Sequence, residues 1–156
     1  MSRLPYIVLA ACYRKGNDGV IEYALFKRAV FRAGDEAYWQ IISGGGEGEE
    51  KPDEAVRREA FEEAGIPQDS RFFKLDMVSH VPVTVFRDHH LWPANLYVVP
   101  GYHYAVNAEK IAIRLSEEHT EYRWASFEKA KKLLKWQSDV TALWELEQRL
   151  QRNDLK

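Results

Sequence analysis

Three consecutive glycines (residues 44–46) join a strand-like segment to a helix-like segment, and this junction constrains the fold more than any other part of the chain. The run before them, "YWQIIS" (38–43), is typical of a short strand. After them, Pro52 suits the first position of a helix and Gly65 suits the residue that follows its last turn. The junction therefore predicts a strand, a glycine loop and a helix that packs back on a sheet.

Strand-like segments predominate through the first two thirds of the chain. They lie at residues 5–13, 20–30, 72–86, 94–106 (with a break at Pro100-Gly101) and 121–126. Ser126 and Ser138 are the predicted N-caps of two closing helices. A chain of 156 residues, 46% of them hydrophobic, suits one globular domain over 1–156. The pattern predicts the α/β (α+β) class, a mixed β-sheet with helices on both faces.

Charge and cysteine content exclude several classes of protein. The net charge of −2 gives no global attraction to nucleic acid or to anionic lipid, so we expect neither as a partner. Cys12 is the one cysteine, which excludes an internal disulfide framework and a multi-cysteine metal site. The apolar stretch that precedes Arg14 is too short to span a membrane. We therefore expect a cytoplasmic protein with a small-molecule partner.

The helix after the glycines carries its acids on one side. At 100° per residue, three carboxylates fall within an arc of about 100°: Glu59, Glu62 and Glu63. The opposite side is predicted to pack on the sheet through Val56, Ala60, Phe61 and Ala64. Carboxylates one turn apart repel each other by roughly 0.2–0.5 kcal/mol per pair, unless a cation offsets the repulsion. Mg²⁺ prefers such oxygen ligands together with substrate phosphates; the alternative is an ordinary solvated helix face.

The spacing of these residues decides between the two interpretations. It reads Gly44, five residues, Glu50, seven residues, Arg58-Glu59-Ala60, one residue, Glu62-Glu63, one residue, Gly65-Ile66. A chance match of seven fixed identities at one start is on the order of 10⁻⁸. The segment resembles the signature of the Nudix hydrolases without a departure. That resemblance implies an α/β/α sandwich and Mg²⁺- or Mn²⁺-dependent hydrolysis of a nucleoside diphosphate linked to another group X.

The resemblance also implies roles for individual residues. The expected metal ligands are Glu59, Glu62 and Glu63, with the carbonyl of Gly44 as a further ligand. Arg58 would orient the glutamates through salt bridges, and Glu50 would support the loop or a metal-bound water.

Outside the signature, "EHTEYRW" (118–124) resembles the family's "E-H-x-x-Y-x-W" segment before a late strand. It selects Glu118, ahead of Glu117 and Glu121, as a further catalytic or metal-binding glutamate; a solvated acidic loop is the alternative. Three residues are candidate substrate contacts: Lys27 and Arg28 for phosphate and Trp39 for a stacked base or pterin. A surface ion pair and a core tryptophan are the respective alternatives.

Substrate choice is less constrained. The segments "YWQIISGGGE" and "EYRWASFEKAKKLLKWQSDVTALWEL" resemble the bacterial dATP pyrophosphohydrolases and dihydroneopterin triphosphate pyrophosphatases, which implies release of pyrophosphate. A hydrolase of ADP-ribose, a nucleotide sugar or a dinucleoside polyphosphate is the alternative, as is a non-catalytic nucleotide sensor. A glycosidase is disfavoured because its two acids must face each other across a cleft. Exposed edge strands would permit a homodimer.

Overall fold

The computed structural model describes residues 3–156, which form one sheet of seven strands and three helices. The strands are β1 (Arg3–Lys15), β2 (Ile21–Arg28), β3 (Trp39–Gln40), β4 (Ile42–Glu47), β5 (Phe72–Pro82), β6 (Val98–Asn107) and β7 (His119–Ser126). The helices are α1 (Pro52–Ala64), α2 (Phe127–Leu133) and α3 (Gln137–Gln151), with short 3-10 turns at Val83–Val85 and Arg87–Leu91. Within the described part of the chain, no helix has the length and apolar character needed to cross a membrane.

The sheet divides at β1. One edge of β1 pairs in parallel with β6, which pairs with β5 on its other side. The other edge pairs with β4 at residues 7–10 and with β2 only at residues 13–15. Strand β2 continues away from β1, pairing with β3 near its end and with β7 along its outer edge. The bent segment β3–β4 therefore fills the gap where β1 and β2 separate, which we call the fork.

Alternation along β1 supplies both faces of the sheet. Val8, Ala10 and Cys12 belong to the core beneath α1, whereas Leu9, Ala11 and Tyr13 belong to the core beneath α2 and α3. A strand buried on both faces reads as a continuous apolar run, as this one does. The mixed sheet and the three-layer α/β/α arrangement are confirmed, and Cys12 is fully buried.

Three local predictions are wrong. The glycines at 44–46 are part of β4 and not of a loop, because Gly44 and Gly45 pair with β1. Strand β6 runs through Pro100 and Gly101 without a break. The proline is accommodated because pairing with β1 begins only at Gly101, so Pro100 has a neighbouring strand on one side alone. Helix α3 begins at Gln137 after the N-cap Trp136, and not after Ser138.

Candidate active site

Helix α1 begins and ends where the sequence predicts. Pro52 occupies the first helical position, and the side chain of Glu54 accepts a hydrogen bond from the backbone N–H of Lys51 at 3.0 Å. Gly65 ends the helix with φ of 74°, the left-handed conformation that glycine adopts without a steric penalty. These terminal residues fix where the helix begins and ends.

The glutamates are more buried than the helical wheel predicts. Glu59 is 8% exposed and Glu63 is 2% exposed, whereas Glu62 faces solvent. The buried side of α1 is centred between Val56 and Glu63, so Phe61 lies on the far side and is 40% exposed. The predicted separation into a packing side and a carboxylate side is therefore wrong for Glu59, Glu63 and Phe61.

Gly44 allows β4 to approach these carboxylates. A Cβ atom at this position would lie 2.1 Å from Cδ of Glu59, closer than side chains tolerate. The backbone N–H of Ser43 donates a hydrogen bond to Glu63 at 3.2 Å. The backbone of β4 can thus contact the carboxylates directly, because glycine at position 44 leaves room for this close approach.

Arg58 joins the loop after β4 to the helix. Its guanidinium donates two hydrogen bonds to Glu50, at 2.8 and 3.0 Å, and one to the carbonyl oxygen of Gly45 at 2.9 Å. The same group donates to Glu59 at 3.0 Å and to Glu62 at 3.2 Å. Glu50 also accepts the backbone N–H of Glu47 at 2.8 Å. This arrangement agrees with the expected orienting role of Arg58 and loop-supporting role of Glu50.

Glu118 reaches the helix from the other side of the fork. Its carboxyl group lies beside that of Glu63 and raises the pKa of Glu63, and its backbone oxygen accepts a hydrogen bond from the N–H of Ala29 at 2.8 Å. Glu121 instead pairs with Arg123 at 3.7 Å, and Glu117 is exposed. Of the three glutamates considered from the sequence, the structure brings Glu118 to the α1 carboxylates.

The electrostatics of this cluster favour a positively charged ligand. Burial raises the pKa of Glu59 to about 7, against the opposing effect of Arg58. Burial, the hydrogen bond to Glu118 and the charge of Glu59 raise the pKa of Glu63 to about 10. Desolvated carboxylates that repel each other are stabilised in their charged form by a nearby cation. The residues therefore fit a divalent metal ion, although residues 3–156 contain no group of three or more such side chains already arranged around one ion position.

The candidate substrate contacts lie on two faces of the sheet. Strand alternation places Arg28 on the α1 face, beside His119, with which it pairs across β2 and β7. Lys27 pairs with Trp39, and Trp39 packs on the core of the opposite face. The guanidinium of Arg123 lies 4.9 Å from the Trp39 ring centroid. The structure thus brings Arg28 near the carboxylate face but does not bring Lys27 or Trp39 there.

Two structural residues of the site escaped the sequence interpretation. Tyr6 donates its hydroxyl hydrogen bond to the carbonyl oxygen of Glu50 at 2.8 Å, from a strand with no motif of its own. Gln40 lies 2.9 Å from Nε2 of His119, which is buried and not solvent-facing. Gln40 lies four residues before Gly44 in the sequence, but its contact with His119 crosses the sheet and depends on the register of β3.

Comparison with known proteins agrees with this architecture. A family model described as the NUDIX domain matches residues 6–144. A structure from Listeria monocytogenes assigned to the NUDIX hydrolases shares 34% identity, with 98% of this chain and 99% of that chain covered and a TM-score of 0.83. The chain therefore belongs to the Nudix family. It is a Nudix hydrolase, a pyrophosphohydrolase that acts on nucleoside diphosphate derivatives.

More distant structures share the fold. An Ap4A hydrolase of C. elegans is 19% identical, with 96% and 99% of the two chains covered and a TM-score of 0.72. The E. coli dihydroneopterin triphosphate pyrophosphohydrolase is 18% identical, with 94% and 99% covered and a TM-score of 0.70. No curated protein matches the chain significantly. These two comparisons establish the common fold and leave the choice of substrate to the site itself.

Proposed function

We propose that this protein hydrolyses a (deoxy)nucleoside triphosphate or dihydroneopterin triphosphate and releases pyrophosphate, in a reaction that requires Mg²⁺ or Mn²⁺. The observation that carries the proposal is the pair of buried carboxyl groups, Glu59 and Glu63, held against the glycine strand and joined by Glu118. Two buried acids in contact with a third destabilise the site by mutual repulsion. Divalent cations that bind together with a polyphosphate would offset this repulsion, which explains why the chain keeps the carboxyl groups together.

The proposed roles of the residues are of two kinds, binding the metal and positioning its ligands. Glu59, Glu62, Glu63 and Glu118 would hold the metal, with the carbonyl of Gly44 as a further ligand. A bound divalent ion would neutralise charge on the diphosphate and lower the pKa of a coordinated water. Arg58 holds Glu59 in place and ties the helix to Glu50. Glu118 is the exposed neighbour of Glu63 and would accept a proton from the attacking water.

Substrate phosphates would meet Arg28, which lies on the α1 face. Trp39 lies on the opposite face of the sheet with Arg123 over its ring, so we assign it no stacking contact with a base or pterin bound at the carboxylates. Lys27 is the cross-strand neighbour of Trp39 and lies on that same face, which leaves Arg28 as the proposed phosphate contact. The cytoplasmic location remains a prediction from the sequence.

The deciding experiment is hydrolysis in ¹⁸O-labelled water with Mg²⁺, followed by mass spectrometry of the products. The substrates are dNTPs, dihydroneopterin triphosphate, ADP-ribose, nucleotide sugars and diadenosine polyphosphates. A triphosphate substrate is expected to yield pyrophosphate and a monophosphate, one of which carries the label from the broken phosphoanhydride bond. Cleavage of ADP-ribose, a nucleotide sugar or a dinucleoside polyphosphate without pyrophosphate release would replace the proposed substrate. Binding without turnover of every compound would favour the nucleotide-sensor alternative.

Two glutamate substitutions test the proposed roles. Glu63→Gln is expected to abolish Mg²⁺-dependent turnover while the far-UV circular dichroism spectrum stays unchanged. Glu128→Gln is the matched control, since Glu128 lies on α2 and pairs with Lys131. A Glu63→Gln enzyme with wild-type turnover would eliminate the proposed metal site.

Adjacent residues test the proton acceptor. Glu118→Gln is expected to lower kcat by about 10²–10⁴-fold, the usual contribution of general acid–base catalysis. Glu117→Gln changes only an exposed side chain and is expected to alter kcat by about two-fold at most. The reverse ranking of these two variants would assign the role to Glu117.

A further inference from the structure

A pocket of about 450 Å³ lies on the flank of α1 opposite the catalytic carboxylates. We call it the α1–β5 pocket; it is lined by Lys51, Asp53, Arg57, Phe72, Lys74 and Tyr104. Arg57 precedes Glu59 by two residues, which places it roughly 160° away around the helix. The volume lies within the range of roughly 300–1,000 Å³ that is usual for small-ligand sites. The pocket is thus separate from the site described above.

The charge of the α1–β5 pocket is positive. Three cationic side chains line it against one carboxylate, that of Asp53. Within residues 3–156, neither Lys51, Arg57 nor Lys74 forms an ion pair with an acidic side chain. The positive end of the α1 dipole adds to this charge, because Pro52 is the first residue of the helix. The pocket therefore attracts anions.

Two groups in the pocket are held in position to donate hydrogen bonds. Nη1 of Arg57 donates to the carbonyl oxygens of Gln68 at 2.8 Å and Ser70 at 2.6 Å, which fixes the guanidinium and leaves its other nitrogens without a partner in residues 3–156. Tyr104 is 5% exposed as a residue, and its hydroxyl, which forms no hydrogen bond in the same part of the chain, is not among the buried unpaired atoms and so remains open to the pocket. A tyrosine hydroxyl that is open to the pocket and not engaged by the protein can donate a hydrogen bond to an anion bound there.

Two aromatic residues, Phe72 and Tyr104, contribute to the lining of the pocket. Phe72 lies 5.1 Å from the guanidinium carbon of Arg57, measured to the ring centroid. Lys74 is the cross-strand neighbour of Tyr104 between β5 and β6, so its ammonium group and the tyrosine hydroxyl belong to the same face of the sheet. Three cationic side chains together with a hydroxyl donor suit a dianionic phosphate better than a carboxylate of single charge, because hydrogen bonds between ionised groups are the stronger ones.

We propose that the α1–β5 pocket binds a small phosphate-bearing anion without a metal ion, through the charges of Lys51 and Lys74, the guanidinium of Arg57 and the hydroxyl of Tyr104. The net charge of its lining side chains, three positive and one negative, matches a dianionic phosphate group. Inorganic phosphate, pyrophosphate and a phosphate monoester share this chemistry. The α1–β5 pocket would be a second site at which the protein binds a phosphate group, in addition to the proposed hydrolytic site.

The test is a two-dimensional ¹H–¹⁵N NMR titration in EDTA, with inorganic phosphate, pyrophosphate and AMP as separate probes. We expect saturable shifts of the Lys51, Asp53, Phe72, Lys74 and Tyr104 amides. Tighter binding of AMP than of phosphate would identify a nucleoside monophosphate as the ligand, and equal or weaker binding would identify the inorganic anion. Because no metal ion and no turnover are involved, the result does not depend on the proposed hydrolytic function.

Two substitutions make the test specific. Lys74→Gln is expected to weaken phosphate binding roughly ten-fold or more, since hydrogen bonds to charged groups contribute strongly. Tyr104→Phe keeps the ring, removes only the hydroxyl and is expected to weaken binding by a smaller factor. Lys129→Gln, on α2, is the control and should bind as the wild type does. Absence of saturable shifts at millimolar phosphate, shifts confined to Gly44 and Arg58, or a Lys74→Gln protein that binds normally would each overturn the proposal.

Discussion

Replacing Arg58 with methionine is expected to lower the free energy of unfolding by about 2–4 kcal/mol. Most of this cost comes from Glu50, which loses two short hydrogen bonds of 2.8 and 3.0 Å and whose side chain is 21% exposed. The hydrogen bond from Arg58 holds the pKa of Glu50 below its usual value, so the ionised pair is favourable in the native state. Glu62 adds little, because its side chain is 53% exposed and surface ion pairs contribute about 0–1 kcal/mol.

The contact between Arg58 and Glu59 is expected to contribute less to this loss of stability than the contact with Glu50. The pKa of Glu59 stays raised despite Arg58, because desolvation outweighs the attraction of the guanidinium. Loss of Arg58 therefore removes a favourable contact but also lets Glu59 take up a proton, which limits the cost of leaving it unpaired. The change in stability should consequently be smaller at pH 5.5, where Glu59 is protonated in both proteins, than at pH 8.

Urea denaturation in metal-free buffer measures this change, with Arg123→Met as the matched control. Arg123 is 53% exposed and its partner Glu121 lies 3.7 Å away, so the control is expected to lose less than about 1 kcal/mol. A double-mutant cycle with Glu50→Gln isolates the pair and is expected to show a coupling of about 1.5–3 kcal/mol. Equal losses for Arg58→Met and Arg123→Met, with no coupling to Glu50, would refute the structural role of Arg58.

Three further perturbations have defined outcomes. Gly44→Ala places a Cβ at 2.1 Å from Cδ of Glu59 and is expected to reduce kcat strongly. At Gly45 the added Cβ meets the flexible side chain of Arg3, so Gly45→Ala should retain more activity. Asp139→Asn should flatten the pH dependence of stability, because burial raises the pKa of Asp139 to about 7. As the pH rises from the pKa of this group in the unfolded chain towards 7, the carboxyl group lowers the free energy of unfolding by at most about 1.4 kcal/mol per pH unit. Mg²⁺ should raise the Tm more at pH 8 than at pH 6, because it must displace protons from Glu59 and Glu63; a pH-independent increase in calorimetry would contradict this.

The sequence predicts the elements of the fold well, because their signals are local. Helix α1 has Pro52 at one end and Gly65 at the other, and both terminal residues behave as their backbone preferences require. The double-sided burial of β1 follows from its continuous apolar run. The fork was not predictable, because it depends on which part of β1 each later strand pairs with, and pairing leaves no local pattern.

The site was predicted in composition but not in environment. The spacing of the signature identifies Glu59 and Glu63, yet the helical wheel places them in solvent, because the wheel alone cannot show where the strand approaches the helix. Burial of both groups becomes visible only when β4 contacts α1 through Gly44. The contact between Glu118 and Glu63 joins residues 55 positions apart and requires the three-dimensional fold.

The fork has a consequence for how such a protein can change. The carboxylates of α1 belong to one branch, with β1 and β4, whereas Glu118 and Arg28 belong to the other, with β2 and β7. Substitutions in β2 and β7 can change the side chains that lie beside the α1 carboxylates without altering the pairing between β1 and β4 that aligns Gly44 with Glu59. The strand pairing that aligns Gly44 with Glu59 is thus encoded in one branch of the sheet and the position of Arg28 in the other, so either can diverge while the other is retained; Glu118 is the residue through which the second branch also reaches the α1 carboxylates.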